Sequence, residues 1–292
     1  MNGHRDTLTF EGSQDDFRRK CSPSLRSRLF RPGTKLWPDP YRFRWVGFGL
    51  VLKLLKKRGQ PYAQGYCHLA LVPLRDASRR PARIPAVTAT IILVNCVVFM
   101  LELAGGDAFV TTWSAIPAQI VFGHRWITLI TSLFLHGSWS HIIGNMIFLW
   151  AFGPQIEDAM GRWRYLVFYF AGGLVAMLAQ VAVDPHSTVP NLGASGAIAA
   201  VMGAFLITYP RDRIRSVWIF FVFMGITFIP AVFLIGFWFL SQLIDAGSVA
   251  DVQTGGVAYM AHVGGFVFGA VTARLFEDPR RIARQQEMDC FR

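Results

Sequence analysis

The stretch Asn191–Pro210, NLGASGAIAAVMGAFLITYP, is apolar and rich in small residues, yet Ser195 stands near its start between Ala194 and Gly196. Two readings compete for it. Ser195 is packing glue between membrane helices, or it is a nucleophile set inside a membrane. A lone Ser among Gly and Ala in a span is ordinarily glue, so the surrounding chain has to decide.

Composition points to a membrane. Of 292 residues, 53% are hydrophobic and 16% charged, with mean hydropathy +0.37; soluble domains carry about 25% charge. Apolar runs recur from Ile84 onward. They read as six spans at about 86–104, 141–157, 163–183, 193–209, 216–244 and 257–276. The expected fold class is therefore all-α: a polytopic membrane protein with a bundle of six transmembrane helices. The fifth run is too long for an upright span, and tilt or a bend at Pro230 would accommodate it.

The net charge of +11 is explained by topology. With six spans both termini share one side. Every Lys and Arg except Arg125 falls on that side, while Asp107, Asp184, Asp245 and Asp251 lie on the other. The positive-inside rule then puts both termini in the cytoplasm. No binding module accompanies the charge, so neither nucleic acid nor a nucleotide is an expected partner. The chain divides into a basic extension over 1–83, a six-helix domain over 84–276 and a basic cytoplasmic tail over 277–292. The extension reads as partly disordered or as a start assigned too far upstream. Its segment Tyr41–Gly59 alternatively reads as an interfacial helix on anionic lipid.

Four cysteines, Cys21, Cys67, Cys96 and Cys290, form no CxxC or Cys/His zinc spacing. His136 and His141 are five apart, about 140° round a helix, with no Cys or carboxylate near them in sequence. No metal, cofactor or disulfide framework is expected. Asn95 and Gln180 read as interhelical hydrogen-bond partners.

Polar residues inside spans are costly and need a reason. His141 and Asn145 lie four apart on one face of the second span, Ser195 opens the fourth, and His262 lies in the sixth. Each sits 12 to 16 residues from the nearest charge at the cytoplasmic end of its span, namely Glu157, Arg211 or Arg274. At about 1.5 Å per residue, all four occupy one layer roughly 18–24 Å from the cytoplasmic edge. Ser195, Ala199 and Gly203 form one small-residue stripe, and His262 heads another with Gly265 and Gly269. Such stripes let backbones approach closely, which brings Ser195 within reach of His262.

A neutral imidazole beside a serine hydroxyl is a general base for a weak nucleophile. The N-terminus of the fourth span supplies backbone N–H groups, Ser195 N–H among them, and His141 and Asn145 add side-chain donors for an oxyanion. No Asp or Glu lies in the fourth or sixth span at this depth, so the arrangement reads as a dyad.

These residues resemble the rhomboid family of intramembrane serine proteases. Three signatures occur in the family's order: LHGSWSHIIGNMIFLWAFGPQIEDAMGRWRY, GASGAIAAVMGA, with Gly193 and Gly196 around the serine, and AHVGGFVFG. The likeness runs from about Val72 to Phe276. It implies a six-helix bundle that cleaves transmembrane segments of other proteins near their outer ends, within a bilayer, here a bacterial plasma membrane. It carries the nucleophile onto Ser195, the base onto His262, and oxyanion donors onto His141 and Asn145. It also implies that the fifth span and the loop after it control access. Two positions depart from the pattern. Ile127 and Thr128 stand where some members have Trp-Arg, with Arg125 and Trp126 just upstream. Ala199 stands where some members have an aromatic stacked on the histidine, so His262 needs another packing partner.

Because the likeness begins near Val72, residues 1–71 are expected to be dispensable or not made; native material starting at Met1 would contradict this. The alternative functional reading is a catalytically inactive rhomboid-like protein that binds membrane helices. A solute or proton transporter using His141 and His262 as a relay is a third, and it lacks the internal repeat such proteins show.

Overall fold

The computed structural model describes residues 69–220, 223–248 and 258–290. The expected helix at Tyr41–Gly59 and most of the basic extension lie outside them.

The architecture is mostly helical. The strand β1 spans Leu69–Asp76, and helix α1 spans Ala86–Trp113. Two short helices follow, α2 (Pro117–Val121) and α3 (Thr128–Thr131), with a 3-10 turn at Ser132–Phe134. Next come α4 (Trp139–Met160), α5 (Arg162–Val183) and α6 (Ser195–Thr208). Strands β2 (Arg213–Phe220) and β3 (Phe223–Pro230) precede α7 (Ala231–Ser248), α8 (Tyr259–Phe276) and α9 (Pro279–Cys290). Among the described residues two helices, α1 and α5, are long and apolar enough to cross a bilayer; α6 and Ala231–Ile244 are shorter and apolar.

Helix α6 is the centre. Every residue from Gly196 to Phe205 is buried, as expected of a helix apolar on all sides. Its 14 residues span only about 21 Å, against about 30 Å for a bilayer core. The core between α4, α5 and α6 is aromatic. Phe152 meets Phe205 edge-on at 5.1 Å, and Tyr165, Phe168 and Tyr169 are fully buried beside them.

The helix ends follow local chemistry. Helix α1 has no capping side chain of its own. Its free N–H groups are met by the Glu157 carboxylate from α4, which accepts from Val87 N at 3.0 Å and from Thr88 N and Thr88 Oγ1 at 2.8 Å. At Gly106 (φ 60°) the helix kinks, so its first part ends close to the expected limit of 104. Gly161 (φ 83°) joins α4 directly to α5.

The expectation of an all-α fold with a fifth span at 216–244 is corrected. Residues 213–230 form a hairpin, and α7 begins only after Pro230. The hairpin joins β1 in an antiparallel sheet of order β1-β2-β3, with Val72 opposite Val217 and Val217 opposite Ile226. The run is rich in Ile, Val, Phe, Trp and Thr, which pack well on a pleated surface, and its apolarity alone could not separate strand from helix. The alternation is visible in the fold: Met224, Ile226 and Phe228 are exposed, while Ile214 and Ser216 are buried on the other face.

Ahead of α1, Ala82 N donates to Asp158 Oδ2 at 2.8 Å. Arg79 pairs with Asp212 and lies 4.4 Å over the Tyr209 ring. Helix α9 closes the same end: Gln285 bonds Tyr209 OH and donates to Asp158 Oδ2 at 2.9 Å. On β1, Asp76 is buried. That burial, with Asp212 alongside, pushes its carboxyl up to about 8, even though the Ser78 and Arg79 N–H groups donate to it.

Candidate active site

Ser195 is the first residue of α6, and His262 lies in the second turn of α8. Their side chains meet: Ser195 Oγ is 2.7 Å from His262 Nε2. The backbones permit this because the crossing is lined by glycine. A Cβ built on Gly265 would sit 2.1 Å from Gly196 O, and one on Gly269 would sit 1.9 Å from Ala200 O. Gly196 itself leaves room for Ala176, and Ala199 is fully buried. These are main-chain contacts with no flexible side chain to yield, so the spacing of α6 and α8 depends on missing side chains.

The loop before Ser195 is held by its main chain. Asn191 exchanges two hydrogen bonds with Ala115, at 2.8 and 2.9 Å, and Gly193 N donates to Ser132 O at 2.9 Å. Gly193 has φ 127°, a region that favours glycine, and a Cβ there would lie 2.8 Å from His141 Nε2 and 3.6 Å from Ser195 Oγ. The imidazole edge of His141 therefore faces the backbone just ahead of the serine.

One turn further along α4 is Asn145. It is buried, and its Nδ2 has no hydrogen-bond partner among the described residues. An unpaired amide donor is costly, and such a group in a site needs a role. Among the described residues no side chain caps α6, and the first N–H groups of a helix have no partner within it. Ser138 caps α4 by accepting from His141 N at 3.2 Å, which fixes the start of the helix that carries both residues.

His136, set aside in the metal reading, has a supporting place. Its N–H donates to Glu102 Oε2 at 2.8 Å, its Nδ1 meets Phe134 O at 3.2 Å, and its ring packs edge-on against His141 at 5.1 Å. Burial, with His141 adding to it, pulls its imidazole down to about 4, so it is neutral at ordinary pH.

Two residues on α7 were missed in the sequence. Gln242, 8% exposed, brings its Oε1 to 2.6 Å from His262 Nδ1, and the Trp238 ring lies 5.7 Å from the His262 ring. Trp238 is the packing partner that Ala199 does not supply. Neither residue is an Asp or Glu of the fourth or sixth span, the only orienting groups that the dyad reading excludes. The available signal was an uncharged polar residue within the apolar fifth run. Of the two expected interhelical partners, Gln180 accepts from Ala261 N at 3.3 Å, next to His262, whereas Asn95 Nδ2 donates within its own helix to Ile91 O at 2.7 Å. The first loop is anchored by Arg125, which bonds Gln119 Oε1 at 2.9 Å and Thr112 O, while Trp126 and Ile127 are exposed.

Comparison with known proteins gives the family. The Rhomboid domain family model matches residues 123–278, more than half of the chain. The chain is 32% identical over 118 residues to Rhomboid protease GluP of Bacillus subtilis, covering 39% of this chain and 23% of that protein. It is 30% identical over 155 residues to the mitochondrial Rhomboid protein 1 of Saccharomyces cerevisiae, covering 50% and 40%. It is 28% identical over 149 residues to the mitochondrial Presenilin-associated rhomboid-like protein A of Danio rerio, covering 50% and 36%. The matched stretches thus span well under two thirds of the relatives' own length. Family match, helical architecture and the three signatures converge: this chain belongs to the Rhomboid family of polytopic membrane proteins.

Proposed function

We propose that this chain is an intramembrane serine endopeptidase acting through Ser195 and His262. The observation that carries the reading is the 2.7 Å contact between Ser195 Oγ and His262 Nε2 at the end of a helix too short to span a bilayer.

In the proposed reaction Ser195 Oγ attacks a peptide carbonyl carbon and passes its proton to His262 Nε2. The carbonyl oxygen becomes an oxyanion, met by Ser195 N–H and by donors from His141 and Asn145. The unpaired Nδ2 of Asn145 supports this role. The imidazolium gives its proton to the leaving amine, and an ester remains on Ser195. Water, deprotonated by the same imidazole, then hydrolyses that ester and regenerates the serine.

Helices α1, α4, α5, α7 and α8 are the proposed full spans, and α6 together with the loop before it makes the sixth passage. Both termini are then cytoplasmic, with the site opening toward the opposite face, as the Lys and Arg distribution supports. The substrates are transmembrane segments of other proteins reaching the site through the bilayer. The membrane itself is proposed to be a bacterial plasma membrane; the relatives include both bacterial and mitochondrial proteins. The test is cleavage in proteoliposomes of a single-span protein with Gly and Ala near its outer end. Cleavage by wild type and none by Ser195→Ala supports the reading. Tight binding of that span without cleavage by wild type replaces it with the helix-binding one.

A further inference from the structure

We infer that Gln242 is a positioning residue that sets the tautomer of His262, holding its proton on Nδ1 so that the bare Nε2 faces Ser195. The inference rests on the proposed serine peptidase reading, and it replaces a two-residue arrangement with a three-residue one whose third member is neutral.

A chain of hydrogen bonds runs from α7 to Ser195. Ser241 Oγ donates to Trp238 O at 2.7 Å, which leaves its lone pairs free. Gln242 Nε2, a donor only, meets Ser241 Oγ at 3.1 Å. The amide is thereby oriented with Oε1 toward His262, and Oε1 can only accept. His262 Nδ1, 2.6 Å away, must therefore be the N–H. In a neutral imidazole the other nitrogen is then an acceptor, and it is the one 2.7 Å from Ser195 Oγ. With the amide in this orientation, a bare Nδ1 would set acceptor against acceptor.

Burial gives the arrangement its weight. Gln242 is 8% and His262 9% exposed, so neither can exchange its partner for bulk water. A glutamine here is otherwise a liability in an apolar helix. Because Gln242 and Trp238 both belong to α7, docking of that helix and setting of the base become one event. Val232, Phe233, Phe237 and Leu240 on the outer side of α7 are exposed, so its inward contacts carry its position. Unlike a carboxylate, the amide adds no charge to stabilise an imidazolium. Its contribution is orientation.

The test compares full-length wild type, Gln242→Leu, which keeps an apolar side chain in place but has no acceptor, and Gln242→Glu, which has one. Two readouts are taken: kcat and KM for the proteoliposome substrate, and 15N NMR of histidine-labelled protein in micelles, with the His262 signal assigned by its loss in His262→Ala. The expected result is an Nδ1-protonated, Nε2-bare His262 in wild type. In Gln242→Leu that signature is lost and kcat falls about 10²-fold with KM within about 2-fold, as for loss of a general base set in place; Gln242→Glu recovers most of kcat. A Gln242→Leu protein with wild-type kcat, or one that keeps the Nδ1-protonated signature, overturns the inference. If Gln242→Leu does not fold, a folded Gln242→Glu with kcat no better than about a hundredth of wild type also overturns it. Failure of the underlying reading shows differently: wild type would then cleave nothing, while NMR of the resting protein still reports the tautomer.

Discussion

His262 Nε2 lies 2.7 Å from Ser195 Oγ, although 67 residues separate the two in the chain. The proposed chemistry needs both partners at once. Ser195→Ala and His262→Ala should each reduce cleavage to the limit of detection, and the double variant should be no worse than either single one. Circular dichroism and thermal melting should show all three folded. Additive losses would indicate that the two residues do not act as a unit.

Asn145 Nδ2 is buried without a partner among the described residues. If it meets the oxyanion, Asn145→Ala should lower kcat by about 10²-fold and leave KM nearly unchanged, because that bond forms only in the transition state. A rise in KM at constant kcat would instead make Asn145 a substrate-binding residue.

The crossing of α6 and α8 is set by missing side chains. A Cβ on Gly269 would come within 1.9 Å of Ala200 O. Gly269→Val should cost more than the roughly 1–3 kcal/mol usual for overpacking, since main chain must move. The readout is a lowered Tm together with loss of activity. Gly144→Ala, where nothing lies within 4 Å of the added Cβ, should leave Tm nearly unchanged.

The Glu157 carboxylate takes the place of an N-cap for α1. Glu157→Ala leaves the Val87 and Thr88 N–H groups without it and should destabilise the fold by about 1–3 kcal/mol. Denaturant melts with and without the substitution check this.

Asp76 gives the fold a pH dependence of defined sign. Its carboxyl, ordinarily near 3.8, is pushed up to about 8 by burial and by Asp212. The folded chain thus holds this proton more tightly than the unfolded chain does. The stabilisation is fully present below the unfolded value, and it is lost as pH rises through the folded one. Melting temperature should therefore fall from about pH 4 to about pH 8 in wild type, less steeply in Asp76→Asn. Equal slopes would remove Asp76 from the account.

Much of the bundle was legible because helices that bury or span are apolar at the right length. The second span was read at 141–157, and α4 runs Trp139–Met160. The meeting of Ser195 with His262 was legible in two small-residue stripes and one common depth. The hairpin at 213–230 was not, because hydropathy records apolarity and not its handedness. Its partner strand at Leu69–Asp76 is more than 130 residues away, beyond any local pattern. Gln242 and Trp238 escaped for the same reason. Once the fifth run was read as one long helix from 216, nothing marked which of its residues faced His262.

The most direct measurement of the central claim is covalent labelling of the detergent-solubilised protein with a fluorophosphonate, followed by mass spectrometry of the adduct. The account predicts one adduct, on Ser195, present in wild type and absent from Ser195→Ala and His262→Ala. A folded wild-type protein that takes no label, or one labelled equally well without His262, would contradict it.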